Sequence, residues 1–595
     1  MMVGFYSQSF CGWMSFVCLA AAVALAGDTF SLGWEVIRLN SFGLGVDIFV
    51  DGVGLVFPSI VLFIASSVFN FSGLYMGTSS HPIRFHGLLM SFVLSMIVFI
   101  FVPNLFGLMV GWDGLGIFSF LLVLFYPCHS SLSAGMITGL TNRLGDSFLM
   151  LVLLVNGLVY GGSSVNGDCF GLVSFCLVIG AMTKSAQFPF CSWLPRAMAA
   201  PTPVSSLVHS STLVTAGVFL IVRYHVSLSD SSLVMLQWAS LITMALSGLN
   251  ACVEFDMKKV VALSTLSQVS FMMFAVGVGF PFLAFFHLIS HAVTKALLFI
   301  CVGLVIMGYS QDLRRLGGSF LNVESVKWYF GGACAGLCGF PFFSGFYSKE
   351  MIIESVLYSN VGWLGFCLFS LGVLSTSYYS ARLAFFCFFS GLLNSKRGGV
   401  SMFRYSGCMG EIRVHSFCLG LFILSVVLGG VGAWFFLCPP SMFPCHVSKA
   451  LVMLCCPFGL WLFWLNSVNS SHCSKSSVLE GGYMAVFPKK NVINQNIGEV
   501  GNVKVREWKV LRESFVRELG FLDGFSGQPF VCAGLTLSEE VNSSLDQGWL
   551  EYFGPGGLSS CFKKFLDCNN YMSNHWFALF FIVYIFEVVI WVVTS

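Results

Sequence analysis

Charged residues are scarce in this sequence. Asp, Glu, Lys and Arg make up 9% of the 595 residues, whereas 56% are hydrophobic and the mean hydropathy is +0.85. A soluble globular protein carries about 25% charged residues, so this composition excludes a soluble enzyme. The 29 basic and 27 acidic residues nearly cancel, and no basic excess points to nucleic acid. Because a membrane helix needs about 20 apolar residues, the sequence predicts a polytopic α-helical membrane protein.

Sequence motifs for cofactors are absent as well. The 22 cysteines include no C-x-x-C pair, so the ligand spacing of zinc and iron–sulfur sites is missing. Most of them lie in apolar runs, and we interpret them as small apolar residues of helix interfaces. There is no G-x-G-x-x-G motif, no Walker motif and no haem ligand set. We therefore expect this chain to bind no cofactor or metal itself, and redox energy to arrive through a partner.

Apolar runs follow one another closely and predict about 14 to 16 transmembrane helices. Among them are a run at 47–72 and a long one at 350–390 that is read as one helix or two pieces. The run from Trp13 to Ala26 lacks a basic flank, so it is interpreted as a first membrane helix and not as a targeting segment. If the protein is organellar, this favours synthesis inside the organelle.

The composition changes near the C-terminal end. Residues 489–567 hold 19 of the 56 charged residues. Between Trp508 and Leu519 apolar residues recur at three- and four-residue spacing, which predicts an amphipathic helix. That helix would lie on the membrane surface or on a partner, or else form part of a solvated loop. The final apolar run, 575–594, then returns to the membrane.

Asp113 is the first ionisable residue inside an apolar run. Placing Asp or Lys at the bilayer centre costs about 2.5–3.5 kcal/mol of insertion free energy, so such residues usually face protein or water. No cation lies within a helical turn of Asp113, so its partner must come from another helix. A structural ion pair and a role in handling protons both remain open.

Two further sites follow in the same half of the chain. Arg143 and Asp146 are three residues apart, which places them on one helix face, where a local salt bridge is the simplest reading. Lys184 ends an apolar run shortly before Pro189, which removes the hydrogen bond to the Ser185 carbonyl. A freed carbonyl beside an ammonium favours a hydrated ion site in an interrupted helix, although a snorkelling lysine is the alternative.

The other half carries a polar stripe and a second interrupted run. His287, His291 and Lys295 are spaced four residues apart on one helix face. A proton relay fits this stripe because imidazole both donates and accepts near neutral pH; metal binding and a structural role are the alternatives. Lys349 lies in a Pro/Gly-interrupted stretch, where a surface pair with Glu350 is the alternative to an intramembrane role.

Several motifs together carry a resemblance to a known family: Gly111–Gly116, Asn142–Asp146, Thr183–Gln187 with Trp193–Pro195, Ala200–Gly217, Leu263–Gln268 and Ser344–Lys349. They resemble the antiporter-like, proton-pumping subunits of respiratory complex I, which are related to Mrp-type antiporters. The length, the last motif and the charged C-terminal extension are similar to those of the distal, subunit-5 branch of that family. The matching motifs run from about residue 105 to 350, over 40% of the chain.

The resemblance implies two inverted five-helix repeats, each with one broken helix, along a hydrated polar axis. Asp113 and Lys184 would form a carboxylate–lysine pair, supported by the ion pair of Arg143 and Asp146. Many relatives carry Glu where Asp113 stands, so the shorter side chain would reach Lys184 through a water. The relay implied by the family continues through His209, His287, His291, Lys295 and Lys349.

The resemblance also implies an organisation along the chain. Its parts are N-terminal transmembrane helices (1–102), a first antiporter-like repeat (103–225), a second repeat (226–395), additional transmembrane helices (396–475), a polar and amphipathic lateral segment (476–574) and a C-terminal transmembrane anchor (575–595). Gly554–Gly557 contains Pro555 and is expected to break any lateral helix there.

By resemblance, the chain is expected to be a core membrane subunit of NADH:ubiquinone oxidoreductase in the mitochondrial inner membrane. NADH, FMN, iron–sulfur clusters and ubiquinone would be bound by partner subunits. Its own partners would be the other membrane-arm subunits, above all the adjacent antiporter-like one, together with lipids and the transported protons. A stand-alone cation/proton antiporter of the Mrp type and a purely structural helix bundle are the rival hypotheses.

Overall fold

A computed structural model describes residues 2–25, 28–39, 42–77, 81–160, 170–308, 311–315, 324–359, 361–388, 407–436, 457–465, 528–544, 549 and 554–594. The chain divides into two compact units, residues 1–522 and 523–595. All candidate site residues belong to the first unit. The amphipathic helix predicted between Trp508 and Leu519 lies outside the described residues.

The first unit consists mainly of long apolar helices. In chain order its helices are α1 (Met2–Ala24), α2 (Gly52–Tyr75), α3 (Pro82–Phe101), α4 (Leu105–Val123), α5 (His129–Tyr160), α6 (Phe170–Lys184), α7 (Trp193–Ala197), α8 (Thr202–Leu207), α9 (Leu213–Arg223), α10 (Asp230–Val253), α11 (Met257–Gly277), α12 (Pro281–Gly308), α13 (Glu324–Cys338), α14 (Ser344–Tyr358), α15 (Trp363–Phe388) and α16 (Gly407–Phe436). Among the described residues, 11 helices are long and apolar enough to cross a membrane. The predicted class, an α-helical polytopic membrane protein, is confirmed, whereas the inverted relation of two repeats stays a prediction.

A β-hairpin near the N-terminus departs from the all-helical expectation. Strands β1 (Phe30–Leu39) and β2 (Phe42–Val50) pair antiparallel, with Phe30 opposite Val50. The apolar residues at the end of β2 belong to the run at 47–72 that was predicted as helix. The helix α2 begins only at Gly52, because Asp51 is extended and its Oδ1 accepts a hydrogen bond from the Gly54 amide at 2.9 Å, an N-cap.

The same Asp51 attaches this region to the end of α9. Arg223 donates to both oxygens of Asp51, with N–O distances of 2.6 and 2.7 Å. The following residue, Tyr224, donates its hydroxyl to the Pro103 carbonyl. Burial raises the pKa of Tyr224 to about 12, so the phenol stays neutral and keeps its donor. Two polar contacts therefore tie the N-terminal segments to the first half of the bundle.

Both lysine-bearing runs are interrupted, as the sequence indicated. In the first run, α6 ends at Lys184 and α7 begins at Trp193, and Ala186 between them has a positive φ of 54°. In the second run, α13 ends at Cys338 and α14 begins at Ser344. Gly339 and Phe342, between these helices, have φ values of 85° and 72°. Non-glycine residues rarely adopt positive φ, so each break is a specific local structure. The run at 350–390 forms two pieces, divided between α14 and α15.

The centre of the bundle is formed by α11 and α12. Every residue of α11 except Lys259 is buried, and α12 is buried from Ala284 to Val305. A helix that is apolar on all sides belongs in an interior. The polar residues on these two helices are therefore enclosed by protein.

The second unit contains α17 (Gln528–Val541) and α18 (Pro555–Thr594). Pro555 occupies the first position of α18, where its missing N–H costs nothing. The predicted break at Gly554–Gly557 is thus a helix start. The residues of the expected anchor, 575–595, fall in the C-terminal half of this 40-residue helix, and their role as an anchor stays a prediction.

Candidate functional site

Lys184 is completely buried at the end of α6. Its Nζ donates to the backbone carbonyl of Trp112 at 2.5 Å and lies 3.8 Å from the centroid of the indole ring. An ammonium over an aromatic face gains a cation–π attraction that is larger when both groups are desolvated. The position is inside the bundle, which disfavours a snorkelling lysine.

Trp112 also contacts a carboxylate on the neighbouring helix. Its Nε1 donates to Asp146 Oδ1 at 2.7 Å, and Asp146 Oδ2 lies 3.1 Å from the Arg143 guanidinium, the expected local pair. The same guanidinium lies 3.6 Å from Asp113 on α4. Asp113 thus takes its partner from another helix, as its sequence context required. Two carboxylates and two cations form one group around Trp112, which we call the Trp112 group.

The expected contact of Asp113 with Lys184 is not a direct ion pair here. Within the described residues the ammonium bonds to the Trp112 carbonyl, whereas the Asp113 carboxylate faces Arg143. The short aspartate side chain is 40% exposed and Arg143 is 53% exposed, so this end of the group reaches the surface of the chain. A water-bridged contact between Asp113 and Lys184 stays a prediction.

His209 lies in a π-helical turn, Val208–Thr212, between α8 and α9. The Thr212 hydroxyl donates to the Leu207 carbonyl five residues back, which matches the five-residue spacing of a π-helical turn. His209 is buried beside Trp193, with 6.1 Å between ring centroids, and neither ring nitrogen has a hydrogen-bond partner among the described residues. Buried polar groups are nearly always paired by protein or water, and π-turns are frequent at functional sites. This imidazole is therefore placed to bond to water.

His287 connects three helices. Its Nδ1 lies 2.8 Å from the Ser348 hydroxyl on α14, and its Nε2 lies 3.1 Å from Gln268 Oε1 on α11. Both partners are neutral, and both ring nitrogens are engaged. Within the described residues, no group of three His, Cys, Asp or Glu side chains could hold a metal ion. The relay role of His287 stays a prediction.

The rest of the α12 stripe continues from His287. The His291 ring lies 6.1 Å from that of His287, and neither of its nitrogens has a partner among the described residues. One turn further, the Lys295 ammonium donates to the Ser264 hydroxyl at 2.5 Å. All three are buried. The predicted polar face thus exists, and it points into the protein.

Lys349 lies at the second broken helix. It is buried, and its ammonium donates to the carbonyl of Leu337, in the last turn of α13. A cation at a helix C-terminus is stabilised by the helix dipole. Glu350 is buried as well, so the alternative of an exposed loop pair does not fit.

Sequence reasoning missed several residues of these groups. Trp112, Ser264, Gln268 and Ser348 bond to predicted site residues, and Lys258 is a further buried cation. These four bonding residues all lie in motifs that carry the family resemblance, so a signal was present for them. Their side-chain partners come from other helices, which the sequence does not show.

Comparison with known proteins identifies the family. Residues 102–376 match the transmembrane region of NADH:quinone oxidoreductases and Mrp antiporters, and residues 502–595 match the C-terminus of NADH dehydrogenase subunit 5. The chain is 35% identical to NADH-ubiquinone oxidoreductase chain 5 of Aedes aegypti, over 99% of this chain and 96% of that protein. The chain belongs to the NADH-ubiquinone oxidoreductase chain 5 family.

A second member of this family is similar over nearly the whole chain, and two solved structures share the fold. Chain 5 of Mytilus edulis is 36% identical over 95% of this chain and 93% of that protein. The fold is similar to a chain of the Mrp complex from Dietzia sp., with a TM-score of 0.66, 24% identity, and coverage of 86% of this chain and 57% of that one. A chain of an archaeal membrane-bound sulfane sulfur reductase gives a TM-score of 0.59 and 19% identity, over 73% of this chain and 89% of that one. The resemblance carried by the motifs is confirmed, and every candidate site residue lies within residues 102–376.

Proposed function

We propose that this chain is a membrane-arm subunit of respiratory NADH:ubiquinone oxidoreductase and that it carries protons across the membrane through a buried Asp/Lys/His relay. Membership of the chain 5 family supports the assignment to the respiratory complex, and the buried lysines support the proton relay. The observation that carries the relay is the full burial of Lys184 and Lys295, whose ammonium groups donate to a carbonyl and a hydroxyl. Ammonium groups in such surroundings are costly, so their presence supports a functional role.

The proposed relay begins at the Trp112 group. At 4 Å and an effective dielectric near 20, a contact between unit charges is worth about 4 kcal/mol. Moving the carboxylate of Asp146 or the guanidinium of Arg143 by a few ångströms would therefore change how strongly Lys184 holds its proton. Motion elsewhere in the complex could use this coupling to make Lys184 release or accept a proton.

The proton then passes to the histidines. His209 and His291 both have free ring nitrogens among the described residues, and a neutral imidazole can accept a proton at one nitrogen while it donates from the other. His287 is held by Ser348 and Gln268, which fix the orientation of its ring. Lys295 and Lys349 continue the relay to the second broken helix. Ordered water would join the groups.

Redox chemistry and assembly are assigned to partner subunits. NADH, FMN, the iron–sulfur clusters and ubiquinone would be bound there, and the electron transfer would drive this chain by conformational or electrostatic coupling. The half-exposed pair of Asp113 and Arg143 lies on an otherwise apolar face, which suits contact with the adjacent antiporter-like subunit. Location in the mitochondrial inner membrane and synthesis inside the organelle are parts of the same proposal.

A stand-alone cation/proton antiporter is the second candidate, because the fold is similar to a chain of an Mrp complex. The match of residues 502–595 to the subunit 5 C-terminus favours the respiratory complex. Purification from detergent-solubilised membranes separates the two. Co-migration with an NADH-oxidising assembly is expected, whereas isolation of the chain alone with cation/proton exchange activity would favour the antiporter.

The relay is tested by Lys184→Met in the assembled complex. The number of protons moved per NADH oxidised would be measured in proteoliposomes. A lower ratio is expected, because Met fills the space but carries no proton. Lys563→Met, at an exposed position of α18, is the matched control and should leave the ratio unchanged. An unchanged ratio in Lys184→Met would contradict the relay.

A further inference from the structure

Lys258 is a buried cation that the proposed relay does not use. It lies in the first turn of α11, is 7% exposed, and donates to the carbonyl of Ala200 at 3.3 Å. The next residue, Lys259, has a side chain that is 48% exposed and pairs with Asp256 at 3.5 Å. The N-terminus of a helix carries a partial positive charge, so a buried cation there is electrostatically unfavourable. Lys258 therefore occupies a costly position that its exposed neighbour avoids.

Lys258 follows the turn between α10 and α11 in the chain. Both helices are long enough to cross a membrane, so this turn lies at a membrane surface. It carries the carboxylates of Glu254 and Asp256, and the backbone of Asp256 pairs with that of Asp312. The buried Arg382 donates to the Glu254 carbonyl at 2.6 Å and fixes the turn. Glu254 and Asp256 are both partly exposed and precede Lys258 in the chain by four and two residues.

Lys258 contacts the carbonyl of Ala200, which precedes α8. The helix α8 carries Thr202, Ser205 and Ser206, and His209 follows in the adjoining π-turn. The four residues are spaced i, i+3, i+4 and i+7, the spacing of one helix face. All four side chains are buried. The Thr202 hydroxyl and both nitrogens of His209 lack hydrogen-bond partners among the described residues. At 1.5 Å per residue this face is about 10 Å long, a distance that a few waters and hydroxyls can bridge.

We propose that Lys258 is a proton port that exchanges protons between the acidic turn at 254–256 and His209, along the hydroxyl face of α8. This inference rests on the proposed relay and adds its connection to the aqueous phase. In the inward step an N–H bond of the Lys258 ammonium breaks, and the proton passes through water and hydroxyls to a ring nitrogen of His209. The neutral amine that remains accepts a proton from a hydronium ion of the aqueous phase at the acidic turn, which leaves a neutral water. No electrons are transferred, and the reverse step releases a proton.

A structural role predicts something different. If Lys258 only tied α11 to the Ala200 carbonyl, any donor with a positive charge would suffice. Arginine keeps the charge and the donors but does not release its proton in proteins. Replacement by arginine therefore separates the two roles.

The experiment uses the assembled complex in proteoliposomes. Lys258→Arg and Lys258→Met are compared with Lys259→Arg and Lys259→Met, and proton uptake per NADH oxidised is measured for each. Both Lys258 variants are expected to lower the ratio several-fold, with the Lys259 variants at the wild-type level. A wild-type ratio in Lys258→Arg would overturn the port and leave Lys258 a structural cation.

A second variant covers the case in which the Lys258 variants do not assemble. Thr202→Val keeps the shape of the side chain and removes the unpartnered hydroxyl, so the ratio should fall. Thr265→Val, whose hydroxyl bonds only within α11, is its control. An unchanged ratio in Thr202→Val would then overturn the port. If Lys184→Met lowers the ratio and neither Lys258→Arg nor Thr202→Val does, the port fails while the relay stands; if Lys184→Met has no effect, the relay itself fails.

Discussion

The Lys184 ammonium lies over the indole face of Trp112, 3.8 Å from the ring centroid, and donates to the carbonyl of the same residue. The indole Nε1 donates in turn to Asp146. One aromatic residue therefore connects the buried lysine with the carboxylate of α5, whereas the family resemblance implied a pair of Lys184 with Asp113 through a water. A change in the charge or position of Asp146 would be felt at Lys184 through Trp112.

Trp112→Phe should impair proton translocation. Phenylalanine keeps an aromatic face for the Lys184 ammonium but removes the donor to Asp146, and a hydrogen bond to a charged group is worth about 1.5–3 kcal/mol. We expect a several-fold lower rate of NADH-driven proton uptake in the assembled complex. Trp193→Phe is the control, because it removes a buried indole bond to the neutral Thr183 carbonyl. Equal rates in the two variants would argue against a role for the Asp146 contact.

Ser348→Ala should slow the second half of the relay. The Ser348 hydroxyl is 2.8 Å from His287 Nδ1, so its loss frees the imidazole to rotate. Proton uptake per NADH should fall while the complex assembles normally. Ser355→Ala, on the same helix, removes a hydroxyl that bonds to the Ile352 carbonyl, and it should leave the ratio unchanged. A normal ratio in Ser348→Ala would show that the orientation of His287 does not limit transfer.

Gly345→Ala should destabilise the second broken helix. A Cβ at this position would overlap the carbonyl oxygen of Gly336 on α13. Overpacking typically costs about 1–3 kcal/mol, and a clash with backbone leaves little room for relief. We expect a lower yield of intact complex on native gels and a lower Tm. Gly430→Ala, where nothing lies within 4 Å of the added carbon, should assemble like the wild type. Similar yields for both variants would contradict this packing.

Arg223→Gln should weaken the attachment of the N-terminal segments. The Asp51 and Arg223 side chains are largely buried and joined by two bonds. Removing one partner of a buried pair costs about 3–5 kcal/mol, so the Tm of the complex should fall. The exposed Arg314 lies 3.8 Å from Asp312, and surface pairs are worth about 0–1 kcal/mol. Arg314→Gln should therefore leave the Tm nearly unchanged, and a comparable decrease in both variants would argue against the Asp51 contact.

The sequence was informative wherever a charge interrupted an apolar run. Asp113, Lys184 and Lys295 stood out because an ionisable residue in a membrane helix is costly. The structure buries the two lysines completely and leaves Asp113 partly exposed. The two helix breaks were signalled in the same way, by proline and glycine beside a lysine. These features are local, so they can be read from one sequence.

Features that depend on distant contacts were not visible. A tryptophan in an apolar run looks the same whether it faces lipid or, like Trp112, bonds to a carboxylate on another helix. Lys258 and Lys259 are adjacent in sequence, and only the packing of α11 buries the first and exposes the second. The end of β2 was read as helix because Ile48, Phe49 and Val50 are apolar, and hydropathy does not separate a short strand from the start of a span.

The most direct test of the relay is the position of ordered water in a high-resolution cryo-EM structure of the assembled complex. The account predicts density for waters that join the Trp112 group to His209, and His291 to Lys295 and Lys349, at hydrogen-bonding distances. Apolar side chains packed between these residues, with no water density at the free nitrogens of His209 and His291, would contradict it.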